Sequence, residues 1–191
     1  MRRIGITGGI GSGKSVVSRL LRIMGYSVYD TDSEAKRLME SSLEVVQKLS
    51  ECFGRDIYHN GRLNRGLLSS RVFGKSDKIV LLNSIVHPVV RFDFYRWSES
   101  LNEEICFVES AILYESRFDE LVDEVWTVTA PEALRIGRVR QRSGLTEEEI
   151  KKRMAAQLSE EEKQRRAAHI IWNDGNVSVI HRVLSLLKSL E

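Results

Sequence analysis

Cysteine is scarce here: Cys52 and Cys106 are the only two in 191 residues, and they lie far apart in the sequence. That excludes a disulfide framework and the paired-thiolate spacing of a structural zinc site, and suits a reducing compartment. Cys106 falls in the apolar run 105–108 and reads as a small core residue. Proline is as rare, with Pro88 and Pro131 alone. No apolar stretch is long enough to cross a bilayer, and no secretory leader precedes the first strand-like run, so a soluble, cytoplasmic protein with no membrane partner is expected. Neither charge dominates: 29 Lys and Arg stand against 27 Asp and Glu, a formal charge of +2. Such a balance lends no support to nucleic acid as a partner. Repeats and low-complexity tracts are absent, and with 42% hydrophobic residues the chain can bury an ample core.

Against these absences stands one dense motif. Gly8, Gly9, Ile10, Gly11, Ser12, Gly13, Lys14 and Ser15 match G-x-x-x-x-G-K-[ST], the phosphate-binding loop, without a mismatch. A short apolar run, 3–7, precedes it, and Val16 opens a helical pattern behind it. Strand, loop and helix in that order are what the motif requires. Glycines let successive N–H groups point inward at phosphate oxygens, and the helix adds the positive end of its dipole. Lys14 supplies a point charge for the outer phosphates, and the Ser15 hydroxyl can ligate Mg²⁺. A nucleoside triphosphate is the expected ligand.

Strand-like runs at 3–7, 27–29, 105–108, 125–129 and 169–172 alternate with helical patterns, so the expected fold is α/β, a parallel sheet flanked by helices. The first helix should run from Lys14 to about Met24 and stop at Gly25. A long, mostly helical insertion follows, roughly 33–103, with a helix at 43–53, a turn at Asn60-Gly61 and an amphipathic run over 75–97 that Pro88 should kink or restart. Pro131 suits the first turn of a helix, Thr146 to Glu149 a capping-box start, and Asn173-Asp174-Gly175 a turn before a closing helix over 177–190.

Several polar groups are placed to act on a bound nucleotide. Asp30 and Asp32 follow the second strand, where open α/β sheets bind ligands. One could hold Mg²⁺ through water and the other take a proton from an attacking hydroxyl; equally, Asp32 or Thr31 could cap a helix over 33–40. Glu109 ends a strand, as a metal-holding acid would or as any charged strand end. Arg138 and Arg142, spaced i,i+4, share a helix face and could neutralise a transferring phosphoryl group. The wider basic segment 135–166 is balanced by Glu147–Glu149 and by residues 160–162, and the charge from about Arg138 to Arg166 suggests loose packing without ligand. His87 sits in an apolar helical stretch, where a satisfied structural histidine is the common outcome and a substrate contact the rarer one.

Together these motifs resemble the dephospho-CoA kinases. Residues 4–15 look like that family's T-G-G-I-G-S-G-K-[ST] opening, and Asp30-x-Asp32 its D-x-D. Phe53-Gly54, Asn60-Gly61-Arg62-Leu63-Asn64-Arg65 and the stretch from Leu82-Asn83 to His87-Pro88 are similar to its F-G, D-G-x-L-[DN]-R and L-[NE]…H-P elements. Ile112-Leu113-Tyr114-Glu115, Arg138 with Arg142, Ala156-Gln157 and Asn173-Asp174-Gly175 complete the series, in order along nearly the whole chain. The chain departs at Glu109-Ser110-Ala111-Ile112-Leu113, where the family has D-[IV]-P-L-L, and at Asn64, where many members carry Asp. The resemblance implies a nucleotide core (about 1–32, 104–134 and 168–191), a CoA-binding helical insertion (about 33–103) and a helical lid (about 135–167). It implies ATP and Mg²⁺ as cofactors, dephospho-CoA as the substrate, and its 3′-hydroxyl as acceptor. Asp32 is then the base, with Lys14, Arg138 and Arg142 catalytic. Gly8 to Val16 and Asn173 bind nucleotide, and Asp32, Arg62, His87 and Glu115 line the acceptor site. Ser15 is the metal ligand, with Glu109 in the outer shell or Asp30 beside it. A monomer or weak homo-oligomer is expected.

The rivals are another small-metabolite or nucleotide kinase, a GTPase switch and a nucleic-acid-associated ATPase. A switch needs an N-K-x-D guanine motif, and no such run occurs. Near-neutral charge argues against the ATPase.

Overall fold

Residues Ile4 to Thr7 are buried without alternation, the pattern of a strand covered on both faces. In the computed structural model, which describes residues 1–190, this run forms β1 (Arg2–Thr7) at the centre of a five-stranded sheet. The strand order is β2 (Val28–Asp30), β5 (Ile105–Glu109), β1, β6 (Glu124–Thr129), β7 (His169–Trp172). Ile4 lies opposite Phe107 and Glu124, and Trp126 opposite His169, all in parallel register. Parallel neighbours need crossover connections, which here are largely helical.

The helices α1 (Lys14–Ile23) and α9 (Val179–Lys188) close one core cluster. Val17 and Leu21, with Val183, Leu186 and Leu187, pack on Ile4, Ile6, Phe107, Trp126 and Val128. The chain leaves α1 through Gly25 at φ 92°. Tyr26 N–H donates to Leu21 O at 3.0 Å and Gly25 N–H to Arg22 O at 3.1 Å, the paired bonds of a Schellman end. The second strand begins one residue later than its apolar run suggests. Ser27 is held at the edge instead, its hydroxyl donating to Glu103 at 2.6 Å.

The chain divides into two compact units, Met1–Tyr29 with Leu101–Glu191, and Asp30–Ser100. The second holds α2 (Thr31–Ser41), α3 (Leu43–Phe53), a hairpin of β3 (Tyr58–His59) and β4 (Arg62–Leu63), α4 (Arg65–Val72) and α5 (Ser76–Ser100). Leu38, Val45, Leu49, Ile57, Leu68 and Phe94 are among its buried side chains.

Pro88 does not restart α5, which runs through it for 25 residues. Proline leaves the carbonyl four residues back, that of Ser84, without its helical partner. Both Pro88 and Ser84 are exposed, so water can take that carbonyl and the helix need not stop.

Candidate active site

The loop between β1 and α1 is a backbone device. Gly8, Gly11 and Gly13 stand at φ 144°, 80° and 100°, which side-chain-bearing residues rarely adopt. Space is as restrictive as torsion: a Cβ on Gly8 would lie 2.0 Å from Val128 O, and one on Gly13 would lie 2.0 Å from Asn173 Nδ2. Ser12 N–H closes on Gly9 O at 3.1 Å and Val16 N–H on Gly13 O at 2.9 Å. The first-turn amides of Lys14 and Ser15 have no acceptor within the helix, so the loop offers donors to an anion. Lys14 folds back over it, Nζ donating to Gly8 O at 2.8 Å and reaching Gly9 O at 3.4 Å. Ser15 and Val16 are exposed on that first turn. Ser12 Oγ is buried with no hydrogen-bond partner.

Two helices, α6 (Glu132–Ser143) and α8 (Glu160–Arg166), and the turn that follows α7 (Glu147–Ala155) bear on the loop. Arg138, half-buried on α6, donates through Nη2 to Asn173 O at 2.8 Å, and its Nη1 lies 3.4 Å from Gly11 O and 3.5 Å from Ser12 O. Asn173 Nδ2 donates to Ser12 O at 2.8 Å, so Asn173 and Arg138 grip the same turn. Arg142, one helical turn on, is exposed. The sequence places both arginines on one face; the structure brings only Arg138 to the loop.

Residues with no role at the loop assigned from their sequence pattern hold it from outside. Arg135 is 6% exposed. Its Nη1 pairs with Glu160 at 3.3 Å. A Cβ on Gly9 would meet both side chains, at 2.2 and 2.3 Å. Gln157, in the turn between α7 and α8, accepts the Ile10 N–H at 3.0 Å. The segment expected to pack loosely is therefore anchored, with Ile150 and Lys163 fully buried. Long aliphatic stems let cationic residues be covered this way. Burial pulls the Lys163 ammonium below its usual pKa, against the pull of Glu115 and Glu160. Its Nζ donates to Ala111 O at 3.0 Å.

Glu115, expected to meet substrate, accepts the Leu158 N–H at 2.7 Å and faces Lys163 at 3.8 Å. Its carboxylate serves the turn between α7 and α8. Glu109 ends β5 half-buried, in register with Ile6. Ser15 and Glu109 offer the hard oxygens that Mg²⁺ prefers, and a metal whose remaining positions go to phosphates and water needs few protein ligands.

In the other unit the expected cap is corrected. Neither Asp32 nor Thr31 caps α2. Asp30 does: its Oδ1 accepts the Asp32 and Ser33 N–H groups at 3.0 and 3.3 Å, and its Oδ2 accepts the Ser33 hydroxyl at 2.9 Å. An extended residue just before the first turn is where a carboxylate reaches those amides. Asp32 is left exposed on that turn. Arg62 is exposed on β4. His87 is half-buried on α5, where burial first and Arg91 second push its pKa below the usual 6.5.

A family model described as dephospho-CoA kinase matches residues 2–178. A Porphyromonas gingivalis protein named dephospho-CoA kinase is 40% identical over 191 residues, covering 100% of this chain and 95% of the relative. The crystal structure of a Thermus thermophilus protein is similar at 36% identity with a TM-score of 0.86, over 99% of this chain and 97% of that one. A dephospho-CoA kinase from Campylobacter jejuni, 23% identical, shares the fold with a TM-score of 0.74 over 100% and 98% of the two chains.

Proposed function

Because the chain belongs to the dephospho-CoA kinase family, we propose that it transfers the γ-phosphoryl group of ATP to the 3′-hydroxyl of the ribose of dephospho-CoA. The products are ADP and coenzyme A. The observation that carries this reading is the phosphate loop with Arg138 and Asn173 folded onto it, in a chain matched to that family over residues 2–178.

In this reading the amides from Gly9 to Ser15, other than those of Ile10 and Ser12, cradle the phosphates, and Lys14 leaves the Gly8 carbonyl to bridge the outer ones. Ser15, with Glu109 in the outer shell, would hold Mg²⁺, which supplies charge neutralisation on the β and γ oxygens when bound. Arg138 offers a planar fork to the transferring group, and Arg142 joins it as the lid, residues 135–167, closes. Closure keeps water from competing for the phosphoryl group. Asp32, with its carboxylate facing solvent, takes the proton of the acceptor hydroxyl. Asp30 orders the turn that carries Asp32. Residues 33–103, with Arg62 and His87, recognise the CoA moiety. Among the described residues no helix is long and apolar enough to cross a membrane. We place the enzyme in the cytoplasm, as a monomer or weak homo-oligomer.

The test is to incubate the protein with ATP, Mg²⁺ and a panel of hydroxyl acceptors. ADP and coenzyme A forming together from dephospho-CoA is the expected result. Phosphorylation of a different metabolite alone, with dephospho-CoA untouched, overturns it.

A further inference from the structure

Gln157 stands in a four-residue turn, past the C-cap of α7 (Ala156) and before the N-cap of α8 (Ser159). Its side chain is half-buried and meets two backbone segments at once. Oε1 accepts the N–H of Ile10, in the phosphate loop, at 3.0 Å. Nε2 donates to the carbonyl of Ala111, two residues past Glu109, at 3.4 Å. One partner is a donor and the other an acceptor, so a neutral amide can satisfy both and fixes its own orientation in doing so. A carboxylate can serve only the first, and a thioether neither. Other bonds fasten the same turn: Leu158 N–H to Glu115, and Lys163 Nζ to the same Ala111 carbonyl. These hold the turn against the stretch after β5. The Gln157 amide then carries that fixed position across to Ile10.

We propose that Gln157 is a positioning residue for nucleotide binding: its amide sets the distance between the phosphate loop and the end of β5, where Glu109 stands. This rests on the kinase reading above only for the identity of the nucleotide. Ile10 carries the N–H one residue before Gly11, whose left-handed backbone begins the inward curl of the loop. Without an acceptor on Ile10 that curl loses one of its outer supports, and the amides following it are no longer pre-set for phosphate. The cost then falls on nucleotide affinity and on turnover, not on the acceptor.

Two variants test it, with nucleotide binding measured by titration with ATP and Mg²⁺ in the absence of acceptor. Gln157→Met keeps the volume and removes both hydrogen bonds. ATP affinity and kcat/KM for ATP should each fall about tenfold, the scale of one well-placed bond. The KM for dephospho-CoA and the nucleotide-free Tm should stay near those of the parent. Gln157→Glu keeps the acceptor for Ile10 but loses the donor to Ala111 while ionised. Its ATP affinity, relative to the parent at each pH, should recover as pH is lowered and its carboxyl regains a proton to donate. The methionine variant should show no such recovery. Unchanged ATP binding in Gln157→Met overturns the proposal. So does a loss of activity that follows a lowered Tm with ATP binding by the folded fraction intact, because Gln157 is then only structural. Should Gln157→Met fail to fold, a flat relative pH profile in Gln157→Glu is the overturning result. Since the titration needs no acceptor, an error in the assigned substrate leaves this outcome unaffected.

Discussion

Residues 8–15 and residues 30–33 both carry candidate catalytic groups next to a strand end, and they are built in opposite ways. The first run is made of backbone. Glycine torsions and carbonyl contacts from Val128 and Arg135 leave no room for side chains at Gly8 or Gly11, and Arg138 and Asn173 hold the loop through its carbonyls. The second is made of side chains on the first turn of a helix, with one carboxylate, Asp30, spent on ordering the turn and the next, Asp32, open to solvent. A backbone device is broken by adding a side chain, since a single Cβ at Gly8 or Gly11 has no room. A side-chain device can be lost with one atom. The two regions should therefore fail differently when mutated.

The largest effect is expected at Asp32. Asn keeps its size and removes the base, so Asp32→Asn should lower turnover by about 10²–10⁴. ATP affinity, measured by titration, should hardly change. An Asp32→Asn enzyme with normal turnover would move the base elsewhere and break the contrast. Lys14→Ala comes next, at about 10²–10³ in turnover for the loss of one preorganised contact. Its melting curve should stay close to that of the parent, because Lys14 is held by carbonyls that water can replace. Wild-type turnover in that variant would mean the loop does not work on phosphate. Arg138→Lys keeps the charge but loses the planar fork, and about a tenfold fall in kcat is expected, equivalent to about 1.4 kcal/mol. If both Arg138→Lys and Arg138→Ala turn over normally, Arg138 is a strut for Asn173 and nothing more.

Two smaller effects concern stability in the Asp30–Ser100 unit. Asp30→Ala removes the cap of α2 and should cost about 1 kcal/mol in denaturant unfolding. Any larger loss of activity than of stability would show that the cap is also needed to aim Asp32. The smallest effect is at His87, whose folded pKa is depressed by burial and by Arg91. Between the ordinary value of 6.5 and that lower one, the unfolded chain binds a proton that the folded chain does not. Stability should therefore decline as pH falls through that window and stop declining below the folded pKa. Comparing denaturant midpoints of the parent and of His87→Gln at pH 7.5 and 5.5 checks it; an equal decline in both excludes His87 as the cause.

What could be read from the sequence follows the same division. The loop was legible because its residues are consecutive and glycine has no substitute at positive φ. The strands were legible because both-face burial writes continuous apolar runs such as 105–108. The capping-box start at Thr146 was legible for a similar reason: both of its reciprocal bonds form between residues three apart. The cap of α2 lies one or two residues before the expected Thr31 or Asp32 because Asp30, Thr31 and Asp32 are all good caps, and only the backbone angle decides among them. That α5 continues through Pro88 without a restart is not legible, because the solvent available to the Ser84 carbonyl is not written in the sequence. The roles of Arg135, Gln157 and Glu160 at the loop are not legible in composition or spacing, for a deeper reason. Gln157 acts on backbone atoms of Ile10 and Ala111, and Arg135 sets its own carbonyl against Gly11; any residue type carries the same N–H and C=O. No pattern in the chain marks such a partner.

The central place of β1 in the sheet has a consequence for how the chain is made. β1 leaves the ribosome before the other strands of its sheet, yet its two neighbours are residues 105–109 and 124–129. At about 5–20 residues per second, the apolar stretch from Ile4 to Ile6 waits on the order of ten seconds for a partner. During that time it is an unpaired, sticky edge, and the nucleotide loop behind it has no shape. Pairings of such long sequence separation also slow folding once synthesis ends. A pulse of labelled nascent chains should thus show chaperone contact concentrated before residue 129 has emerged, and nucleotide-dependent protease protection only after it.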